Sequence, residues 1–105
     1  MKRVCQVIGL KPECYEKYKN LHDHIWPHIV ERLRERNIRN YTIFYLDGKL
    51  TAYFEYVGND FEADMAIQED DIERQWQEQC IAMQSSADGA DTIRWLPQEV
   101  LFHMD

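Results

Sequence analysis

One stretch limits the possible folds more than any other: YTIFYLDGKLTAYFEYV, residues 41–57. Asp47-Gly48 lies between two runs of alternating large residues. A two-residue turn that matches the twist of its strands needs positive φ at both positions, which Asp tolerates and Gly adopts freely. The spacing therefore predicts an antiparallel hairpin. Its first arm sets Tyr41, Ile43 and Tyr45 on one face and Thr42, Phe44 and Leu46 on the other. Its second arm sets Leu50, Ala52, Phe54 and Tyr56 on one face. A lone hairpin is marginal in water, so the rest of the chain must cover this one.

The flanking segments supply the cover. RVCQVIGL, residues 3–10, is a β-rich run that stops at Lys11-Pro12. From residue 13 to about 36 the apolar spacing is helical, with Tyr15, Tyr18, His22, Ile25, Trp26, Ile29 and Leu33 on one stripe. Pro27 interrupts it. Proline has no N–H and clashes with the carbonyl four residues back, here Asp23, so the helix must kink or restart with Pro27 in the first turn. A second helical region is expected from Asn59, with Asn59 as cap and Glu62 completing a capping box. Phe61 and Met65 mark a short stripe there, and Ile72, Trp76, Cys80 and Met83 mark a longer one. QSSADGAD reads as a loop and QEVLFHM, residues 98–104, as a closing strand.

The resulting βαββαβ order is that of the ferredoxin-like sandwich, an α+β fold with two helices on one face of a four-stranded antiparallel sheet. These strands are apolar on both sides; Val100, Phe102 and Met104 oppose Leu101 on the closing one. A sheet of that kind is normally covered on both faces. The expectation is a homodimer with its sheets packed face to face, forming a dimeric α+β barrel.

Length and charge narrow the function. The 105 residues suit a single domain over 1–105. A net charge of −7 repels phosphate backbones, which argues against nucleic acid and anionic membrane surfaces and makes a neutral or cationic ligand the easier fit, although such a charge also serves solubility alone. No run reaches membrane-spanning length. MKRVCQVIGL is too short and interrupted for a signal peptide and reads as a strand. Cys5, Cys14 and Cys80 are widely spaced with no CxxC pair, which fits free thiols in the cytoplasm. There is no phosphate-binding loop and no dinucleotide fingerprint.

Chemistry concentrates in YKNLHDHIWPHI, which holds three of the four histidines. Tyr18 and His22 are four residues apart on the apolar stripe and can meet side by side. An imidazole titrates near pH 6.5, so it can give and take protons at cellular pH, although a histidine on such a stripe serves packing as readily. Trp76 on the second helix is either core or a flat apolar wall for the C–H face of a sugar ring. His24 and His28 are also four apart, but they lie off the stripe, beside Pro27, with no third ligand at suitable spacing; no metal is expected. His103 reads as structural.

YKNLHDHIWPHI, NYTIFYL, RQWQEQ and QEVLFHM together resemble the L-rhamnose mutarotase family over nearly the whole chain. The most specific part is Tyr-x3-His-x2-Ile-Trp-Pro, here Tyr18, His22, Ile25, Trp26 and Pro27. The resemblance implies small ferredoxin-like homodimers that interconvert the α and β anomers of L-rhamnose without a cofactor. It implies His22 as catalytic acid and Tyr18, Tyr41 and Trp76 as sugar contacts. Two positions depart from the family pattern. Gln77 stands where a second tryptophan is typical, which adds it to the substrate-contacting set, and His28 stands where a glutamate commonly follows Trp-Pro. Another 6-deoxyhexose such as L-fucose is an alternative substrate. A cofactor-free or haem-handling monooxygenase and a non-catalytic sugar-binding module are alternatives on the same architecture.

Overall fold

The hairpin turn takes the conformation its residues favour. In the computed structural model, which describes residues 1–105, Asp47 and Gly48 have φ of 49° and 77°. They join β2 (Ile38–Leu46) to β3 (Lys49–Tyr56), with Leu46 opposite Lys49. Leu50, Ala52, Phe54 and Tyr56 are all buried, as the alternation requires. β1 (Lys2–Leu10) pairs antiparallel with the other side of β3, from Lys2 opposite Tyr56 to Gly9 opposite Lys49.

Pro27 divides the first helical stretch as predicted. α1 spans Tyr15–Asp23 after a short 3-10 turn, and α2 spans Pro27–Glu35 with Trp26 as an extended N-cap and Pro27 in its first turn. The second region also divides. α3 covers only Phe61–Met65 and α4 covers Asp71–Met83. The cap of α3 is Asp60, not Asn59: the Tyr56 hydroxyl accepts the Asp60 N–H at 2.9 Å, and the Asp60 carboxylate accepts the Ala63 N–H at 3.2 Å. The capping box forms at Asp70 and Glu73 rather than at Asn59 and Glu62.

One apolar stripe also needs correction. Ile72 is 41% exposed, while Glu73 is 7% exposed. Glu73 turns inward because the guanidiniums of Arg32 in α2 and of Arg36, which caps that helix, meet it there. Arg32 donates to it at 2.7 Å and Arg36 at 2.6 Å. Arg32 and Arg36 also donate to the carbonyls of Gln68 and Ile67, both at 2.9 Å, so α2 is tied to the start of α4 and the loop before it.

Residues 98–104 do not form the expected closing strand. The free edge of β1 is taken by two short strands, β4 (Gln84–Ser85) and β5 (Leu96–Pro97), which pair at Gly9–Leu10 and at Gln6–Val7. Gln98 adds one bond, its N–H to the Cys5 carbonyl at 2.8 Å, and the chain then leaves the sheet. The alternation in this tail is real, but β4 and β5 hold Gln6–Leu10 of the β1 edge, no ladder pairing continues past Gln98, and Leu101 and Phe102 are 95% and 81% exposed.

The sheet order is β2-β3-β1-β4, with β5 also on β1, which is the ferredoxin-like order of an α+β sandwich. The core lies between the sheet and the helices, where Ile8, Leu10 and Leu50 meet Tyr18, Ile29, Trp76 and Cys80. Gly9 permits the close approach of β4: a Cβ there would lie 2.3 Å from Ser85 Oγ and 2.7 Å from its carbonyl oxygen. No helix is long and apolar enough to cross a membrane.

Candidate active site

A cleft of about 680 Å³ opens between the helices and the bent end of β2. It is within the size range of small-ligand sites. Tyr18, His22, Tyr41, Trp76 and Gln77 all line it. The five residues come from three elements. Tyr18 and His22 face it from successive turns of α1, and Trp76 and Gln77 from the middle of α4.

Tyr41 reaches the cleft through an irregularity. Ile38 and Tyr41 are three residues apart, and a regular strand would put them on opposite faces. The β2–β3 register shifts between Arg39 and Thr42, and Asn40 takes a φ of 54° in this bulge. Asn tolerates that left-handed conformation better than most residues. Its side-chain amide donates to Glu55 at 2.7 Å. Both Ile38 and Tyr41 thereby border the cleft. The Tyr41 ring lies parallel to Phe54, with centroids 5.6 Å apart. Desolvation at its hydroxyl end pushes its pKa up to about 12, so it is a neutral donor and acceptor at cellular pH.

His22 is half-buried. Its ring stacks on Tyr18 with centroids 4.3 Å apart, and it meets the edge of Trp76 at 5.2 Å. Its Nδ1 lies 2.9 Å from the Tyr18 carbonyl oxygen. A carbonyl only accepts, so Nδ1 carries a proton and donates it. In the neutral ring this leaves the lone pair on Nε2. Burial lowers the pKa of His22, partly offset by that hydrogen bond, so the neutral form dominates near pH 7. Trp76 is 4% exposed, and Trp26 supports it edge-on at 5.1 Å. Gln77 is exposed and stands at the rim.

The other histidines lie elsewhere. His24 Nδ1 donates to the Asn20 carbonyl at 3.0 Å, while His28 Nε2 donates to Asp70 at 2.6 Å, so the two do not converge. His103 pairs with Asp105 on the surface. No three His, Cys, Asp or Glu side chains converge as a metal site would require. Sequence reasoning passed over Gln84 and Trp95, which also line the cleft. A signal for Gln84 existed: it continues the stripe Trp76, Cys80 at a four-residue step, where a polar side chain is out of pattern. Trp95 comes from an irregular segment and has no periodicity to give it away.

The same constellation can be set against known proteins. The model of the L-rhamnose mutarotase family matches residues 3–104. The chain belongs to the L-rhamnose mutarotase family. An L-rhamnose mutarotase from Pectobacterium carotovorum is 30% identical over 107 residues that span 100% of both chains. One from Listeria monocytogenes is 42% identical over 57 residues, which cover 54% of this chain and 54% of that protein. The crystal structure of an L-rhamnose mutarotase from Formosa agariphila matches 100% of both chains with a TM-score of 0.77 at 23% identity, which is a likeness of fold.

Proposed function

We propose that this chain is an isomerase that interconverts the α and β anomers of L-rhamnose by assisted ring opening and closing, with His22 moving the proton. Family membership carries the reaction class, and the tautomer of His22 carries the assignment of roles. The neutral Nε2 takes the proton of the anomeric hydroxyl. The C1–ring-oxygen bond breaks, its electron pair stays on the ring oxygen, and C1 becomes a carbonyl. The same nitrogen then gives the proton to the ring oxygen. Both oxygens are bonded to C1, so one imidazole reaches both. The C1–C2 bond rotates, and the steps reverse on the other carbonyl face. Acid-base assistance of this kind contributes on the order of 10²–10⁴-fold.

In this reading Tyr18 and Tyr41 bond sugar oxygens, Trp76 supports the apolar face of the ring, and Gln77 contacts sugar from the rim. The substrate is a small neutral monosaccharide, which suits a chain with a net charge of −7. The enzyme works within one domain, without a cofactor, in a reducing cytoplasm where Cys5, Cys14 and Cys80 stay free thiols. It acts as a homodimer; Phe44 and Leu46 on β2 and Leu101, Phe102 and Met104 in the tail are exposed and favour a second copy of the chain as their cover. Sedimentation analysis should give twice the 12.7 kDa chain mass, and a monomer at micromolar concentration would refute that part.

A sugar panel tests the substrate. Saturation-transfer NMR on the anomeric protons should show faster exchange for L-rhamnose than for L-fucose at equal enzyme. Acceleration of L-fucose alone would keep the chemistry and move the substrate, with the departure at Gln77 as the first place to look.

A further inference from the structure

We propose that Gln84 is a positioning residue for this reaction: its buried amide donates to the Tyr18 hydroxyl oxygen and so directs the Tyr18 O–H into the cleft. This rests on the anomerase reading above and adds to it a residue outside the set that family resemblance points to.

Gln84 caps α4 and opens β4, pairing with Leu10 of β1. It is 5% exposed, as is Tyr18, and both line the cleft with His22. Gln84 Nε2 lies 3.4 Å from Tyr18 Oη. This is a long bond, of the kind that tightens once a ligand occupies a site. A tyrosine hydroxyl has one hydrogen to give and lone pairs to receive. With the amide on its oxygen, the remaining direction for its hydrogen is the cleft, and no protein group accepts it. Tyr18 then faces a substrate oxygen as a donor rather than as an acceptor.

The chemistry needs a donor there. When the C1–ring-oxygen bond breaks, negative charge builds on the ring oxygen before His22 returns the proton. A fixed hydrogen bond to that oxygen stabilises the transition state more than the bound sugar. The Tyr18 ring is stacked on His22, so the hydroxyl and the working nitrogen are held as one unit. The setting argues against a packing role for Gln84. It is buried in the wall of a mostly hydrophobic cleft, where methionine would fill the same volume with no amide to satisfy.

The test is a double-mutant cycle read by anomeric exchange on L-rhamnose over a range of sugar concentrations. Gln84→Met is expected to lower kcat about tenfold, roughly the loss of one hydrogen bond made in the transition state, and to leave KM within about twofold. Placed on Tyr18→Phe, which has no hydroxyl to direct, Gln84→Met should cost less than about twofold more, because the two residues act as a pair. Gln84→Glu should also lose kcat at pH 7, since an ionised carboxylate only accepts and would draw the Tyr18 hydrogen back out of the cleft. It provides the test if the methionine variant does not fold. An unchanged kcat in Gln84→Met or Gln84→Glu, or losses that multiply in the double variant, would overturn the proposal. Buffer-rate exchange with the unaltered protein would overturn the anomerase reading, and this one with it; acceleration by the unaltered protein with indifferent variants would overturn this one alone.

Discussion

Replacing Glu73 by leucine should destabilise the protein heavily while leaving its shape recognisable. The Glu73 and Arg36 side chains are each 9% exposed and meet at 2.6 Å. Removing one partner of a buried pair leaves the other as an uncompensated charge, which costs about 3–5 kcal/mol. The pair borders Arg32, whose side chain keeps 18% of its surface in water, so the lower end, about 3 kcal/mol, is expected. For a chain of 105 residues the unfolding entropy is about 0.22 kcal/mol per kelvin, so Tm should fall by about 14 °C. Urea unfolding followed by circular dichroism would measure it, with the slope unchanged if only the native state is affected.

The pH dependence has a definite sign. Burial acts to raise the pKa of Glu73, but the hydrogen bonds from Arg36 and Arg32 outweigh it and hold the carboxylate below its usual range. A lowered folded-state pKa contributes stability that is fully present above the unfolded value, about 4.3, and is lost as pH falls through the folded value. The gap between the parent protein and Glu73→Leu should therefore narrow below about pH 4. As a control, Asp23→Asn breaks only the exposed pair with Lys19 and should unfold with the parent. A loss under about 1 kcal/mol for Glu73→Leu would refute the view that this carboxylate clamps α2 to α4.

Other outcomes follow from the same geometry. Activity on L-rhamnose should rise with pH and level off above a midpoint lower than about 6.5, because burial lowers the pKa of His22 and protonation removes the lone pair on Nε2; a rate that falls across that range would contradict the base role. Trp76→Ala should cost about 3–5 kcal/mol of stability and raise KM, since the ring is both core and cleft wall; an unchanged KM would remove it from the sugar site. Gly9→Ala should cost at least about 1 kcal/mol by forcing β4 away from β1, and should lower activity through Gln84; unfolding curves beside rate measurements would check both. Gln77→Trp should change stability by less than about 0.5 kcal/mol and lower the KM for L-rhamnose, and an unchanged KM would detach that position from the sugar.

Much of this was legible in the sequence because it depends on local rules. Asp47-Gly48 and the flanking alternation specify the hairpin whatever surrounds it. Pro27 ends one helix and starts the next for steric reasons that no tertiary contact removes. Tyr18, His22 and Trp76 announce themselves by spacing. What escaped depends on distant partners. Glu73 looks like a surface residue and Ile72 like a core one until Arg32 and Arg36 arrive from another helix and reverse them. The tail at residues 98–104 has the alternation of a strand, but alternation does not supply a partner, and only Gln98 bonds to β1, beside the places that β4 and β5 hold. Tyr41 enters the cleft only because Asn40 adopts a left-handed backbone, and Gln84 matters only because Tyr18 stands opposite it.

The most direct measurement is saturation transfer between the α and β anomeric protons of L-rhamnose, with the unaltered protein and with His22→Ala at equal concentration. Exchange well above the buffer rate for the first, and a loss of at least about 10²-fold in that acceleration for a folded second, is the predicted result. Undiminished acceleration by a correctly folded His22→Ala would contradict the account at its centre, because no other group in the cleft has been given the proton to carry.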